Sequence, residues 1–401
     1  MSRIVMKFGG TSVGSVERIN HVADIVRSEV DAKNQVVVVL SAMAGETDRL
    51  VNLTKDLSKD FSASEYDVII SSGEQVSVGA LSGLLNSLGV KSQSLLGWQV
   101  PIVTSSYHKS SRIEAISSKV ILKLLEENNV VIIPGFQGIN SEGRVTTLGR
   151  GGSDTSAVAI AAAIKADFCD IYTDVDGVYT TDPNKVPDAK RLDKISYEEM
   201  LEMASSGAGV LMARSVEFGR RYNVPIIVKS TFNNGEGTLV KEKVMEEAIV
   251  RGVTHNDKEM KFTLFGVPDQ PGIAGKVFGP LSEGGIIVDM IVQNVSKDSK
   301  TDISFTAPTD QREDVVEILS SLSSDLDAEG TDSDENVARV SIIGAGMKAE
   351  SGIASKMFSI LGKNEINIGM ISTSPIRISC VIPKNDMNKA IEALHEEFIS
   401  Q

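Results

Sequence analysis

The chain has 401 residues, a formal net charge of -14, and 41% hydrophobic against 23% charged residues. That length exceeds what one hydrophobic core usually supports, and the composition excludes a largely disordered chain, so two or three folded units are expected. The acidic balance excludes a broad basic face for nucleic acid or anionic lipid, so an anionic substrate has to be held by a few placed cations.

Met1-Ser2-Arg3 is polar and basic, and neither a signal-type run nor a stretch of about 18 apolar residues follows, so a soluble, cytoplasmic protein with no membrane partner is expected. Ile4 to Phe8 is the first predicted strand. Met6-Lys7-Phe8-Gly9-Gly10-Thr11-Ser12 then puts a lysine at its end, followed by paired glycines that let backbone N–H groups approach an anion and by hydroxyls suited to cap the next helix. A purely structural strand-to-helix turn explains a lone Gly-Gly equally well, and the glycine spacing of an ordinary phosphate-binding loop is absent. Ile19, Val22, Ala23, Val26 and Val30 share one helical face. Gln35 to Leu40, Val130 to Ile133, Cys169 to Thr173 and Pro225 to Val228 are nearly continuous in apolar residues, as buried parallel strands are. This alternation predicts an α/β fold, a largely parallel sheet sandwiched by helices.

Thr147-Leu148-Gly149-Arg150-Gly151-Gly152-Ser153-Asp154-Thr155 is a second glycine cluster opening onto a helix, the alanine-rich Ala157 to Ile164. Arg150, flanked by glycines, has room to grip a carboxylate at two points, whereas Asp154 fits either a helix cap or a functional role. Tyr172 to Pro183 holds three carboxylates, Asp174, Asp176 and Asp182, around an aromatic. Solvated turns account for them, and the spacing of an EF-hand calcium loop is missing. No cysteine or histidine cluster suggests zinc, and Cys169 and Cys380 sit in apolar runs as core residues.

Asn233-Asn234-Gly235-Glu236-Gly237 and the charged stretch from Lys241 to Glu247 mark the main boundary. Beyond it Gly272-Ile273-Ala274-Gly275-Lys276-Val277-Phe278 recurs as Gly352-Ile353-Ala354-Ser355-Lys356-Met357-Phe358, an ungapped offset of 80 residues that continues to Met290-Ile291 and Met370-Ile371. Each copy is predicted as a ferredoxin-like βαββαβ unit, the two joined by the acidic segment Asp325 to Glu335. The last helix shows Met387, Ala390, Ile391, Leu394 and Phe398 at helical spacing.

Lys7 to Ser12, Ser41-Ala42-Met43, Ser72-Gly73-Glu74, Gly149 to Asp154 and Thr173 to Tyr179 together resemble the aspartokinase family, and the repeats resemble its paired ACT domains. The likeness covers essentially the whole chain. It implies an amino-acid kinase fold over 1–245 with ACT domains over 260–325 and 337–401, and phosphorylation of the L-aspartate side chain by ATP with Mg2+. It further implies that Lys7 stabilises the transferring phosphoryl group and that Asp154 organises Lys7. By the same likeness Arg150 grips a substrate carboxylate, Glu74 takes the ammonium, and Thr47 and Ser153 assist. Gly9, Gly10 and Ser41 would line the phosphate site, with Thr173, Asp174, Tyr179, Asp182 and Lys229 around the nucleotide. No permanent metal site is implied. Lysine, threonine or both would inhibit by binding near Asp269, Ala274, Asp289 and Gln293 of the first repeat and Asn367 and Ile368 of the second. A homo-oligomer formed through the ACT domains, without a fused dehydrogenase, is expected. Two alternatives remain at this point: a kinase of this fold acting on glutamate or N-acetylglutamate, and a non-catalytic amino-acid sensor.

Overall fold

The computed structural model describes residues 1–242, 248–294 and 299–400. Its described residues form two compact units. The first comprises 1–179, 191–205 and the chain from 209 to 242, and the second comprises 180–190, 206–208 and the chain from 248 onward. The expected domain end at residue 245 lies outside the described residues.

The first unit is built on an eight-stranded sheet. From one edge its strands are Lys194–Ser196, Thr238–Lys241, Ile226–Ser230, Phe168–Thr173, Arg3–Phe8, Gln35–Leu40, Val130–Pro134 and Ser92–Ser94. All neighbours run parallel except Thr238–Lys241 against Ile226–Ser230. Five of the strands are the predicted ones, and their unbroken Val and Ile runs follow from burial on both faces. Helix Val16–Asp31 covers one face with Ile19, Val22, Ala23 and Val26. Helix Gly152–Ile164 is buried nearly all round, which its Gly, Ser and Ala side chains permit.

The register aligns Phe8 with Leu40 on one side and Tyr172 on the other, and Leu40 with Pro134. Lys7, Ser41, Gly135 and Thr173 therefore emerge together at the carboxyl ends of parallel strands, where open α/β sheets form their clefts. A smaller sheet, ordered Ile113–Ile116, Ile102–Thr104, Gln137–Ile139 and Val145–Thr147, leads into the second glycine cluster. Residues 63–87 are apolar and long enough to cross a membrane by composition, but half of the most apolar window is buried within the protein. They form two successive helices, Ala63–Ile70 and Ser72–Ser87.

In the second unit the repeat is visible in the backbone. Gly272 and Gly352, 80 residues apart, precede helices Ile273–Glu283 and Ile353–Lys363 with φ of 89° and 87°. One expectation is corrected: the copies are not joined by a simple acidic linker. Gly330–Asp334 is a strand that pairs with Glu259–Pro268 and completes the first copy's sheet. In the second copy Gly252–Asn256, from upstream of the first, pairs with Val337–Ile343 at the edge of the sheet. The first copy is thus inserted within the second. Alternation along Gly330–Asp334 is weak because its side chains are mostly acidic or small, and the turn-like composition hides the strand. Both cysteines are buried and free, as expected.

Candidate active site

A cleft of about 400 Å³ opens at the carboxyl edge of the large sheet. Its lining includes Lys7, Ser41, Thr47, Glu74, Gly149 to Asp154 and Thr173. Lys7 Nζ lies 2.6 Å from Asp154 Oδ1, both side chains being 11% exposed. Strand Arg3–Phe8 supplies the lysine and the first turn of helix Gly152–Ile164 supplies the aspartate, whose charge also suits a helix N-terminus. Asp154 is therefore an ion-pair partner rather than a cap, since Gly151 occupies the cap position.

Gly10 belongs to a short 3₁₀ turn, Gly10–Val13, and a Cβ there would stand 2.8 Å from the Ala42 carbonyl oxygen. Only glycine lets the two loops approach so closely. The hydroxyls after it do not cap the next helix. Ser15 does so, its side chain accepting from the Arg18 N–H, while Ser12 Oγ is hydrogen-bonded to Thr231 Oγ1 at 2.6 Å.

Glu74, in the first turn of helix Ser72–Ser87, is 3% exposed. Its Oε1 accepts from the Ala42 N–H at 3.2 Å, and its Oε2 has no hydrogen-bond partner among the described residues. Burial pushes its carboxyl up to about 7, against backbone N–H groups that favour the charged form. A buried carboxylate with one oxygen unsatisfied is a strong receptor for a cation.

Arg150 stands between two left-handed glycines, Gly149 at φ 77° and Gly151 at φ 69°. A Cβ on Gly151 would lie 1.8 Å from Met212 Cγ, so no other residue fits against that side chain. Cation, carboxylate and ion pair thus share one cleft with backbone N–H groups, a set able to hold an anionic amino acid beside a phosphate.

The other expected nucleotide residues are arranged differently. Lys229 lines a separate cleft with Tyr172, Ser230, Thr231 and residues 233–236, and its Nζ lies 2.6 Å from Asp170 Oδ2. Burial raises the Asp170 carboxyl while Lys229 opposes that shift. Tyr179 donates to Asp176 Oδ1 at 2.7 Å, and the Thr173 hydroxyl donates to Asp174 Oδ1 at 3.1 Å. Asp182 belongs to the second unit, where it accepts from the Asn184 N–H at 2.9 Å.

Residues 2–230 match the amino acid kinase family, and residues 262–325 and 340–398 each match the ACT domain. An aspartate kinase of Pseudomonas fluorescens strain SBW25 is 51% identical over 403 residues, covering 99% of this chain and 98% of its own. This chain belongs to the aspartate kinase family. The structure of E. coli aspartokinase III in complex with aspartate and ADP is similar at a TM-score of 0.86, with 28% identity over 99% of this chain and 100% of that one. The same enzyme with lysine and aspartate matches at 0.78. The chain is accordingly an aspartate kinase, a phosphotransferase with a carboxyl group as acceptor, and the amino-acid kinase fold followed by two ACT domains is as expected.

Sequence reasoning passed over four residues that line the aspartate kinase cleft: Phe136, Gly209, Val210 and Met212. Phe136 has φ 68° and follows Gly135, where a Cβ would meet Ser153 at 2.7 Å. The Pro134-Gly135 pair ending a strand was the available signal; nothing local marks Met212.

In the second unit the candidate effector residues Asp269, Ala274, Asp289 and Gln293 are all solvent-exposed on the first copy. Asn367 is exposed and Ile368 half-buried on the segment before strand Met370–Ser374. Asp289 is already engaged: Arg339 of the second copy, 1% exposed, pairs with it and with Glu259 Oε1 at 2.8 Å.

Proposed function

We propose that this aspartate kinase transfers the γ-phosphoryl group of ATP to the side-chain carboxylate of L-aspartate in the cleft of Lys7, Glu74, Arg150 and Asp154, giving 4-phospho-L-aspartate and ADP. The gathering of these four charged groups in one cleft carries the reading. A carboxylate with a pKa near 4 is ionised at neutral pH and attacks phosphorus without a general base. A bond from the carboxylate oxygen to phosphorus forms as the bond to the departing ADP oxygen breaks, and what the protein must supply is position and compensating charge.

In this reading Lys7, oriented by Asp154, neutralises the transferring group, and Gly9, Gly10 and Ser41 border it. Arg150 binds a substrate carboxylate, Glu74 binds the ammonium, and Thr47 and Ser153 add hydrogen bonds. Thr173, Asp174, Tyr179 and Lys229 serve the nucleotide. Mg2+ would come with ATP, since it prefers phosphate oxygens and water to an all-protein cage. Magnesium bound in that way would neutralise phosphate charge.

The product feeds lysine, threonine and methionine biosynthesis, and the ACT copies bind lysine, threonine or both to restrain the kinase. The lysine complex of the E. coli relative supports this part. A cytoplasmic homo-oligomer assembled through the ACT domains completes the proposal.

The test is ATP consumption with L-aspartate and magnesium, trapping acyl phosphate with hydroxylamine, then repeated with lysine and with threonine. Trapped product dependent on L-aspartate is expected. Faster turnover of L-glutamate would move the assignment to another acid kinase, and folded, ATP-binding protein without product would favour the sensor.

A further inference from the structure

We infer that Asp67 is a positioning residue that fixes the distance between the two substrate-holding charges, Glu74 and Arg150; the inference rests on the reading of those two residues given above. Asp67 is fully buried yet belongs to no catalytic group. Burying a carboxylate is costly unless donors surround it, and here they do. Its Oδ1 accepts from Thr147 Oγ1 at 2.6 Å and from the Lys109 N–H at 3.1 Å, and its Oδ2 lies 2.7 Å from His108 Nδ1.

These donors lie on two segments that converge on Arg150. Thr147 ends strand Val145–Thr147, and only Leu148 and Gly149 separate it from the arginine. Lys109 is the residue whose carbonyl oxygen would stand 3.1 Å from a Cβ on Gly149. The Ser111 N–H donates to the Thr147 carbonyl at 2.9 Å, closing the same junction. Arg214 clamps it from outside, donating to the carbonyls of Leu148 at 3.0 Å and Ser111 at 2.9 Å.

On its own side Asp67 lies about two helical turns before Glu74, on the helix Ala63–Ile70 that runs directly into Ser72–Ser87. One helical segment therefore holds the ammonium receptor by its backbone and the carboxylate grip through Asp67. The spacing between those two groups sets how the ammonium and carboxylate of the amino acid are held, and with them where its attacking side chain is presented. Hydrogen bonds to a buried charge are stiff enough to hold it, because leaving such a charge unsatisfied is costly.

The experiment uses the full-length enzyme with L-aspartate and ATP. Thr147→Val is close to isosteric and removes only the hydroxyl, Thr147→Ser restores it, and Asp67→Asn provides a second variant should the first fold poorly. Arg150→Ala reports on the site itself. The expected result for Thr147→Val is a KM for L-aspartate raised by about tenfold or more, as misplacement of a substrate group gives. The KM for ATP should be retained, and Thr147→Ser should behave as the parent. A raised KM for aspartate in Arg150→Ala with an unchanged one in Thr147→Val and Asp67→Asn overturns the role of Asp67 alone. An unchanged KM in Arg150→Ala overturns the reading of the site and this inference with it. Equal loss of both substrates' affinities together with the melting temperature makes Asp67 merely structural and also overturns the inference.

Discussion

Lys7 Nζ lies 2.6 Å from Asp154 Oδ1, an ion pair that ties the end of the first strand to the first turn of a helix almost 150 residues later in the chain. With both side chains mostly buried, each charge is held in one orientation by the other. In the proposed transfer a lysine presented in this way would meet developing phosphoryl charge without reorganising, and fixed charge of that kind is usually the largest single contribution to such a step.

Lys7→Met keeps the aliphatic stem and removes the charge. A fall in kcat of roughly 10²-fold to 10³-fold is expected, the scale on which one electrostatic group contributes. The variant also strands the Asp154 carboxylate, so its melting temperature should drop. Adding Asp154→Asn should recover stability but not turnover. Steady-state kinetics and thermal denaturation of both variants separate the two effects, and undiminished kcat in Lys7→Met would remove the lysine from the reaction.

If Glu74 receives the substrate ammonium as proposed, substrate binding should depend on pH. Burial raises its carboxyl from 4.5 to about 7, so the free enzyme is half protonated there. An acid whose folded pKa is raised binds protons more tightly when folded, so its contribution to stability is largest at low pH and declines as pH rises from about 4.5 to about 7. Affinity for the ammonium group runs the other way, because it needs the carboxylate. The KM for L-aspartate should therefore fall by about tenfold between pH 6 and pH 8, following the ionised fraction. Glu74→Gln should raise KM and flatten this profile. A flat profile in the parent enzyme, or an equally steep one in Glu74→Gln, rules the mechanism out.

The parallel sheet was legible because burial on both faces writes itself into Val36 to Leu40 and Val130 to Ile133 as unbroken apolar runs. Glycines carried much of the site, since Gly10 and Gly151 occupy places where a Cβ has no room. What the sequence hid is long-range. Nothing near Asp67 points to Thr147, nothing near Met212 points to Gly151, and the exchange of strand Gly252–Asn256 into the second repeat depends on pairing rather than local pattern. The repeat register was plain, but the insertion of one copy in the other was not, because register compares side chains while topology depends on which edges remain open. Ser15 took the capping role expected of Thr11 and Ser12 because a 3₁₀ turn intervenes.

Arg339 joins the two ACT copies through a charge network. It is 1% exposed and contacts Glu259 and Asp289 of the first copy, while Glu259 also accepts from Asn256 Nδ2 at 2.6 Å. Burial raises the Glu259 carboxyl and Arg339 holds it down. Arg339→Ala leaves that carboxylate without its cation, a loss of about 3–5 kcal/mol for a buried pair. Without the arginine the Glu259 pKa rises further, and protonation relieves the stranded charge. The sign is therefore fixed: the variant's deficit grows as pH rises above the ordinary carboxylate range. Urea denaturation of parent and variant at pH 5 and pH 8 checks this, and equal deficits at the two values would show that the network is not governed by Glu259.

The same network bears on inhibition, since Asp289 is both a partner of Arg339 and a candidate effector ligand. Gln293 provides the cleaner test because its side chain is exposed at the end of edge strand Ile291–Gln293, which pairs with Lys300–Pro308 through its backbone. Its amide can donate to an effector carboxylate and accept from an ammonium, and truncation leaves the strand's own hydrogen bonds in place. A hydrogen bond to a charged ligand contributes about 1.5–3 kcal/mol, so Gln293→Ala should raise the lysine or threonine concentration for half-inhibition by roughly 10-fold to 100-fold. Coupling between sites is reciprocal, so L-aspartate should also weaken effector binding in the parent enzyme, measurable by calorimetry. Half-inhibition unchanged by Gln293→Ala would move the effector off this edge of the first ACT copy and leave Asp289 with only its structural tie to Arg339.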